Sequence, residues 1–238
     1  MTGLDISRIR AICFDLDGTL ADTDDDLATR LAVALRPFTF LFPNRNPRKI
    51  ARRLVMAAEG PGNALLGFAD RFGIDNLIAP FVDVLHWIRG EGWPRHFRLV
   101  PGTAGMLAAL DPRYPLAIVT TRDRRSTHSF LARFRLGETF RCVATARTCP
   151  RTKPHPAPIQ WAAAQMGVSP QGCLMVGDTT VDIRAAKAAG AQVVGVLSGF
   201  GQRGELERAG ADLILDRPAD LIAVLAPVSS ALVTPRGG

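Results

Sequence analysis

The stretch Ala11-Ile12-Cys13-Phe14-Asp15-Leu16-Asp17-Gly18-Thr19 sets four apolar residues directly before two carboxylates that stand two positions apart. A short apolar run closed by Asp-Gly reads as a buried strand, here residues 11–15, that stops at a turn. In an open parallel α/β sheet, ligands bind at the carboxyl edge of the strands, which is where these acids fall. Turn formation by Asp17-Gly18 is the structural alternative for the second acid.

Working outward, the same alternation recurs. Apolar runs at 116–120, 141–145, 173–177, 192–197 and 212–215 read as further strands. Between and after them, 103–110, 124–134, 156–166, 181–189, 204–209 and 219–225 read as helices. Gly190 stands where a helix C-cap is wanted, behind an Ala-rich segment. This pattern predicts a Rossmann-like parallel sheet with crossover helices. One segment breaks it: from Asp24 to Arg89 the chain reads as helical pieces punctuated by Pro43, Pro47, Gly60-Pro61-Gly62 and Gly73. The expected organisation is therefore a core of residues 1–20 and 98–228, an all-α cap of 21–97 inserted after the first strand, and a loose tail of 229–238.

The other strand ends carry polar residues too. Thr120 and Thr121 follow the second strand, and each has the ordinary reading of a strand-end or capping threonine. Lys153 lies in Lys153-Pro154-His155-Pro156 and is one of three lysines in a chain with 26 arginines. A compact ammonium at that point contrasts with the rest of the chain, although a solvated loop lysine is the commoner case. The fourth strand ends in Gly177-Asp178-Thr179-Thr180-Val181-Asp182. Asp182 has a plain alternative role at a helix N-terminus, whereas Asp178 joins Asp15 and Asp17 at the same edge. Three acids, a hydroxyl and an ammonium at one edge call for a cation, and hard oxygen donors favour Mg²⁺. Such a set suits phosphoryl transfer.

Composition bounds the alternatives. With 238 residues, 47% hydrophobic and 21% charged, and a mean hydropathy of +0.11, the chain is globular and large enough for a sizeable core. Cys13 and Cys173 sit in apolar runs and read as core thiols. No apolar run nears the roughly 20 residues of a membrane span, and no signal-type stretch opens the chain, so a cytoplasmic location without membrane contact is expected. The net charge of +7 raises nucleic acid as a partner. Basic residues are spread along the chain, however, with Arg122, Arg124 and Arg125 the one dense cluster, and no interleaved aromatic pattern occurs. Small phosphorylated anions fit this charge as well, and nucleic acid is disfavoured.

The ordered set Asp15-Leu16-Asp17-Gly18-Thr19, Thr120, Lys153-Pro154 and Gly177-Asp178, followed by Asp182, resembles the haloacid dehalogenase (HAD) superfamily. Within it, the chain is similar to phosphoglycolate-phosphatase-like hydrolases with a helical cap. Residues 195–200, Leu206 and Ala211-Asp212 share that likeness, and four ordered motifs together are specific where each alone is not. The resemblance implies an aspartyl-phosphate mechanism with Asp15 as nucleophile and Asp17 as general acid and base. It implies Mg²⁺ on the Asp15 carboxylate, the Asp17 main-chain carbonyl and the Asp178 carboxylate, with Asp182 in support. Leu16, Asp17, Thr120, Thr121 and Lys153 become the candidate phosphate contacts.

Dehalogenases and phosphonatases of this superfamily lack an acid at the Asp17 position, which argues against both chemistries. Thr121 stands where Asn is frequent and Thr179 where Ser is frequent. The expected activity is hydrolysis of a small phosphate monoester by a monomer or homodimer. A phosphomutase of the β-phosphoglucomutase type is the nearest alternative, and a non-catalytic basic binding module a more distant one. Arg45, Arg48, Lys49, Arg52 and Arg53 are candidates for gripping a second anionic group, each also readable as a solvated surface residue.

Overall fold

The structure, a computed structural model, describes residues 3–22 and 97–226. The cap reading for 21–97, its basic candidates Arg45, Arg48, Lys49, Arg52 and Arg53, and the tail reading for 229–238 therefore fall almost wholly outside the described residues. What is described is an α/β core.

Six parallel strands form one sheet: β1 (Ala11–Phe14), β2 (Leu116–Val119), β3 (Cys142–Ala144), β4 (Cys173–Gly177), β5 (Gln192–Val196) and β6 (Leu213–Leu215). Their order is β3-β2-β1-β4-β5-β6. The chain thus moves outward from β1 in one direction and, after returning to β4, outward in the other. The reversal between β1 and β4 opens the crevice in which such sheets bind ligands. Helices α1 (Thr103–Leu110), α2 (Arg124–Phe134), α3 (Ala157–Gln165), α4 (Thr180–Ala189), α5 (Arg203–Ala209) and α6 (Leu221–Val224) cover the two faces.

Alternation along β1 assigns those faces. Ile12 and Phe14 enter a core of large side chains with Met106, Leu107 and Leu110 of α1, Phe130 of α2 and Leu221 of α6. Ala11 and Cys13 face the other core, where Ile159, Ala162 and Ala163 of α3, Ala185 and Ala186 of α4, and Leu206 pack on the sheet. Every residue of β1, β2, β4 and β5 is buried, which is why these strands read as continuous apolar runs. Each large side chain buried this way contributes about 1.5–3 kcal/mol.

Element ends differ from the sequence reading by a residue or two. Arg141 donates its N–H to the Leu116 carbonyl at 2.8 Å yet lies outside β3. The helix expected over 219–225 is divided, a single 3₁₀ turn at Pro218–Asp220 preceding α6. Gly190 closes α4 with φ of 77°, as its place in the sequence suggests. The insertion leaves the core through paired extended segments: Ala21 bridges Leu99 in antiparallel fashion, Asp22 N–H donates to Arg98 O at 3.0 Å, and Val100 N–H to Leu20 O at 3.0 Å. Its two ends are thereby held side by side next to the first strand's acidic turn.

Candidate active site

The carboxyl edge of the sheet brings the acids together. β1 and β4 are neighbours in register, with Phe14 opposite Val176, and Asp15 N–H continues the ladder to Val176 O at 2.9 Å. Asp15 and Asp178 consequently emerge side by side from adjacent strands. One carboxylate oxygen from each of Asp15, Asp178 and Asp182 lies within 4.8 Å of the others, and all three residues are buried.

Lys153 binds two of them. Its Nζ donates to Asp15 Oδ1 at 2.7 Å and to Asp182 Oδ1 at 2.6 Å, and its side chain is 3% exposed. A buried ammonium needs such partners, because desolvation alone is costly. Burial by itself would lower the Lys153 pKa, but the carboxylates of Asp15 and Asp182 win and raise it above the usual lysine range. Lys153 stays a cation. The second oxygen of Asp182 accepts from Thr179 N–H at 3.1 Å and Thr179 Oγ at 2.8 Å, the reach-back of an acidic residue in the first turn of α4. Asp182 therefore orients Lys153 and caps α4 at once.

Asp178 is clasped by glycines. Phe200 N–H donates to its Oδ2 at 2.8 Å. A Cβ at Gly18 or at Gly199 would collide with that oxygen. Gly18 also has φ of 72°, a left-handed conformation that a side chain would strain. Ser198 Oγ donates to Gly18 O at 2.7 Å, tying the loop after β5 to the turn after β1. The stretch 195–200, which carries family likeness in sequence, thus has a physical task in fixing the Asp178 carboxylate.

Burial pushes the Asp15 carboxyl up to about 7, against the opposing pull of Lys153. One ammonium faces three clustered carboxylates here, so an added divalent cation is what the charge balance lacks. The donors are hard oxygens, as Mg²⁺ prefers, and the residues present fit such an ion.

The remaining expected residues are accounted for as follows. Thr120 is buried at the end of β2 and its Oγ accepts from Arg122 N–H at 3.1 Å, while Thr121 is half-buried. The Leu16 side chain is fully buried in the large-residue core, so only its main chain is available to a ligand. The Asp17 carboxylate stands apart from the three-acid cluster and is held by Arg122, whose Nε donates to Asp17 Oδ2 at 3.0 Å while Nη2 donates to Asp17 Oδ1. His155 is a loop residue whose Nδ1 accepts from Ala157 N–H at 3.1 Å. Arg122 as the partner of Asp17 was not legible in sequence. Its one signal was its place two residues beyond Thr120 at the sheet edge, and the charge cluster with Arg124 and Arg125 masked it.

A β3-β2-β1-β4-β5-β6 sheet with aspartates after β1 and β4 and a buried lysine at one edge is the frame of a phosphatase-type hydrolase. Residues 12–196 match the family model of haloacid dehalogenase-like hydrolases, and the chain belongs to that family. It is 30% identical over 230 residues to a phosphoglycolate phosphatase of Haemophilus influenzae, covering 92% of this chain and 99% of that one. It is likewise 30% identical to the pyrophosphatase PpaX of Anoxybacillus flavithermus, over 93% of this chain and 99% of that protein. Among solved structures, a hydrolase from Pseudomonas syringae superposes with a TM-score of 0.72 at 27% identity, covering 93% of this chain and all of that one. The protein is an enzyme of the aspartyl-phosphate type acting on a small phosphorylated metabolite. Among the described residues, no helix is long and apolar enough to cross a membrane.

Proposed function

We propose that this protein is a Mg²⁺-dependent phosphomonoesterase whose substrate is a small phosphorylated metabolite of the size of a two-carbon acid phosphate. The observation that carries the reading is the buried set of Asp15, Asp178, Asp182 and Lys153 beside an arginine-held Asp17. The activities named for the Haemophilus and Anoxybacillus relatives, release of phosphate from a small ester or from pyrophosphate, support the substrate class.

In this reading the Asp15 carboxylate attacks phosphorus and the bond from phosphorus to the ester oxygen breaks. Asp17 gives its proton to the departing oxygen, then as a carboxylate takes a proton from the water that attacks the aspartyl phosphate. That second attack frees inorganic phosphate and restores Asp15. Lys153 offsets phosphoryl charge and holds the Asp15 carboxylate in line, with Asp182 fixing Lys153. The Thr120 hydroxyl and the main chain of Leu16, Asp17 and Thr121 bind the phosphoryl oxygens. The carboxylates of Asp15 and Asp178 and the main-chain carbonyl of Asp17 would hold Mg²⁺, which when bound supplies positive charge to the phosphoryl group.

The test is phosphate release from a broad panel of phosphate esters and pyrophosphate, with and without Mg²⁺, for the wild type and Asp15→Asn. Mg²⁺-dependent release that disappears in Asp15→Asn is expected. Isomerisation of a sugar phosphate with no free phosphate would overturn the reading in favour of a mutase. Failure of the folded protein to bind Mg²⁺ would overturn it in favour of a binding module.

A further inference from the structure

Arg122 is a buried charged side chain that pairs with the Asp17 carboxylate. Its Nε and Nη2 engage both oxygens of Asp17, the fork-to-fork arrangement that fixes a carboxylate in plane as well as in place. Its Nη1 donates to Ser126 Oγ at 3.0 Å, and the guanidinium carbon lies 5.4 Å from the centre of the Phe97 ring. Its backbone is tied at both ends, N–H to Thr120 Oγ and O from Ala146 N–H at 3.0 Å. The Arg122 side chain is 4% exposed, whereas that of Asp17 is 23% exposed. Seen from solvent, Arg122 is the hidden member of the pair and Asp17 the one a ligand meets.

We propose that Arg122 is a positioning residue that aims Asp17, and that it acts on leaving-group departure through Asp17 and not by gripping the phosphoryl group. This rests on the phosphatase reading above. An aspartate side chain has two free torsions. A two-pronged guanidinium, itself pinned by Ser126, the Phe97 ring and the end of β2, removes both. Proton transfer depends on such placement, and an error of about 1 Å costs on the order of 100-fold. A lysine offers a point charge without the fork, so it restores the charge but not the aim.

The experiment compares an alkyl phosphate, whose leaving oxygen needs a proton, with para-nitrophenyl phosphate, whose leaving group departs without one. Wild type, Arg122→Met, Arg122→Lys, Asp17→Ala and the double variant Arg122→Met/Asp17→Ala are assayed with Mg²⁺. Met keeps the unbranched stem over Phe97, and circular dichroism and melting temperature establish that each variant is folded. The expected result for Arg122→Met is a fall in kcat/KM, which reports the steps up to leaving-group departure and not the later attack of water, of about 10–100-fold on the alkyl ester, and a much smaller fall on the nitrophenyl ester. Arg122→Lys recovers only part of the loss. In the Asp17→Ala background, adding Arg122→Met costs nothing further, because a residue acting through Asp17 has no effect once Asp17 is gone.

Equal losses in kcat/KM on both esters, or losses in kcat/KM that add to those of Asp17→Ala, would overturn the inference while leaving the phosphatase reading intact. A folded wild type inactive on both esters and on the wider panel would instead overturn the phosphatase reading, and the inference with it.

Discussion

At the scale of single residues, the site is governed by how few freedoms its side chains retain. Gly199 passes so close to Asp178 that Gly199→Ala must displace either the loop or the carboxylate. The expected outcome is a Mg²⁺ requirement raised about 10–100-fold, the usual cost of disturbing what supports a ligand. A Mg²⁺ titration of phosphate release measures it, and an unchanged requirement would remove Asp178 from the ligand set. Asp182→Ala leaves the Lys153 ammonium with Asp15 as its one carboxylate partner among the described residues, and strips Thr179 of its acceptor. Breaking a buried pair on one side costs about 3–5 kcal/mol, to be read from urea unfolding, together with loss of turnover as Asp15 and Lys153 lose their alignment. Sequence points to Asp15 and Asp178 because acids directly after buried strands have little structural reason to be there, whereas Lys153 and Asp182 each have an ordinary reading, as a loop lysine and a helix N-terminal acid, and stand out only within the ordered set of motifs. It could not reveal Arg122, since in a chain with 26 arginines the residue type carries no information and only the geometry of β2 against the first turn does.

At the scale of elements, α4 shows what sets the spacing between helix and sheet. Ala185 and Ala186 are fully buried and Ala189 nearly so, and with Ile183 they form the side of α4 that packs in the second core, while a Cβ at Gly177 would collide with Asp182, so the first turn of α4 sits close to the end of β4. Ala186→Leu is expected to destabilise the fold by about 1–3 kcal/mol through overpacking, and it pushes Asp182 away from Lys153. Denaturant unfolding and turnover should fall together, and a stable but inactive variant would show that the site moves more readily than the core. The same burial explains which elements were legible. Strands β1, β2, β4 and β5 are sealed on both faces, so their sequence is apolar without interruption. The boundaries of β3 and β6 were less clear because these edge strands, Ala144 apart, are only partly buried. The C-terminal helix was overextended in the sequence reading: Pro218 and Asp220 shape a separate 3₁₀ turn before α6, a local choice that apolar spacing does not record.

At the scale of the whole molecule, the fold brings Asp15 and Asp178 together although they stand 163 positions apart in sequence, and their proximity couples folding, protons and metal. Burial raises the Asp15 carboxyl from 3.8 to about 7 in the metal-free protein. Its ionised form is therefore less favourable in the folded than in the unfolded chain, and metal-free stability is expected to decline as pH rises between those two values. A divalent cation on Asp15 and Asp178 favours the ionised form and must displace the proton to bind. The proton and Mg²⁺ thus compete: below pH 7 the apparent Mg²⁺ affinity rises by up to tenfold per pH unit, and above it the dependence flattens. Because Mg²⁺ at free concentration c stabilises the folded chain by RT ln(1 + c/Kd), the increase in melting temperature on adding a fixed Mg²⁺ concentration should be small at pH 5.5 and larger at pH 8. Asp178→Asn should lower that increase at both values. An increase in melting temperature that is the same at pH 5.5 and pH 8 would mean that the cation binds without Asp15, and that the carboxyl edge of the sheet is not where the metal sits.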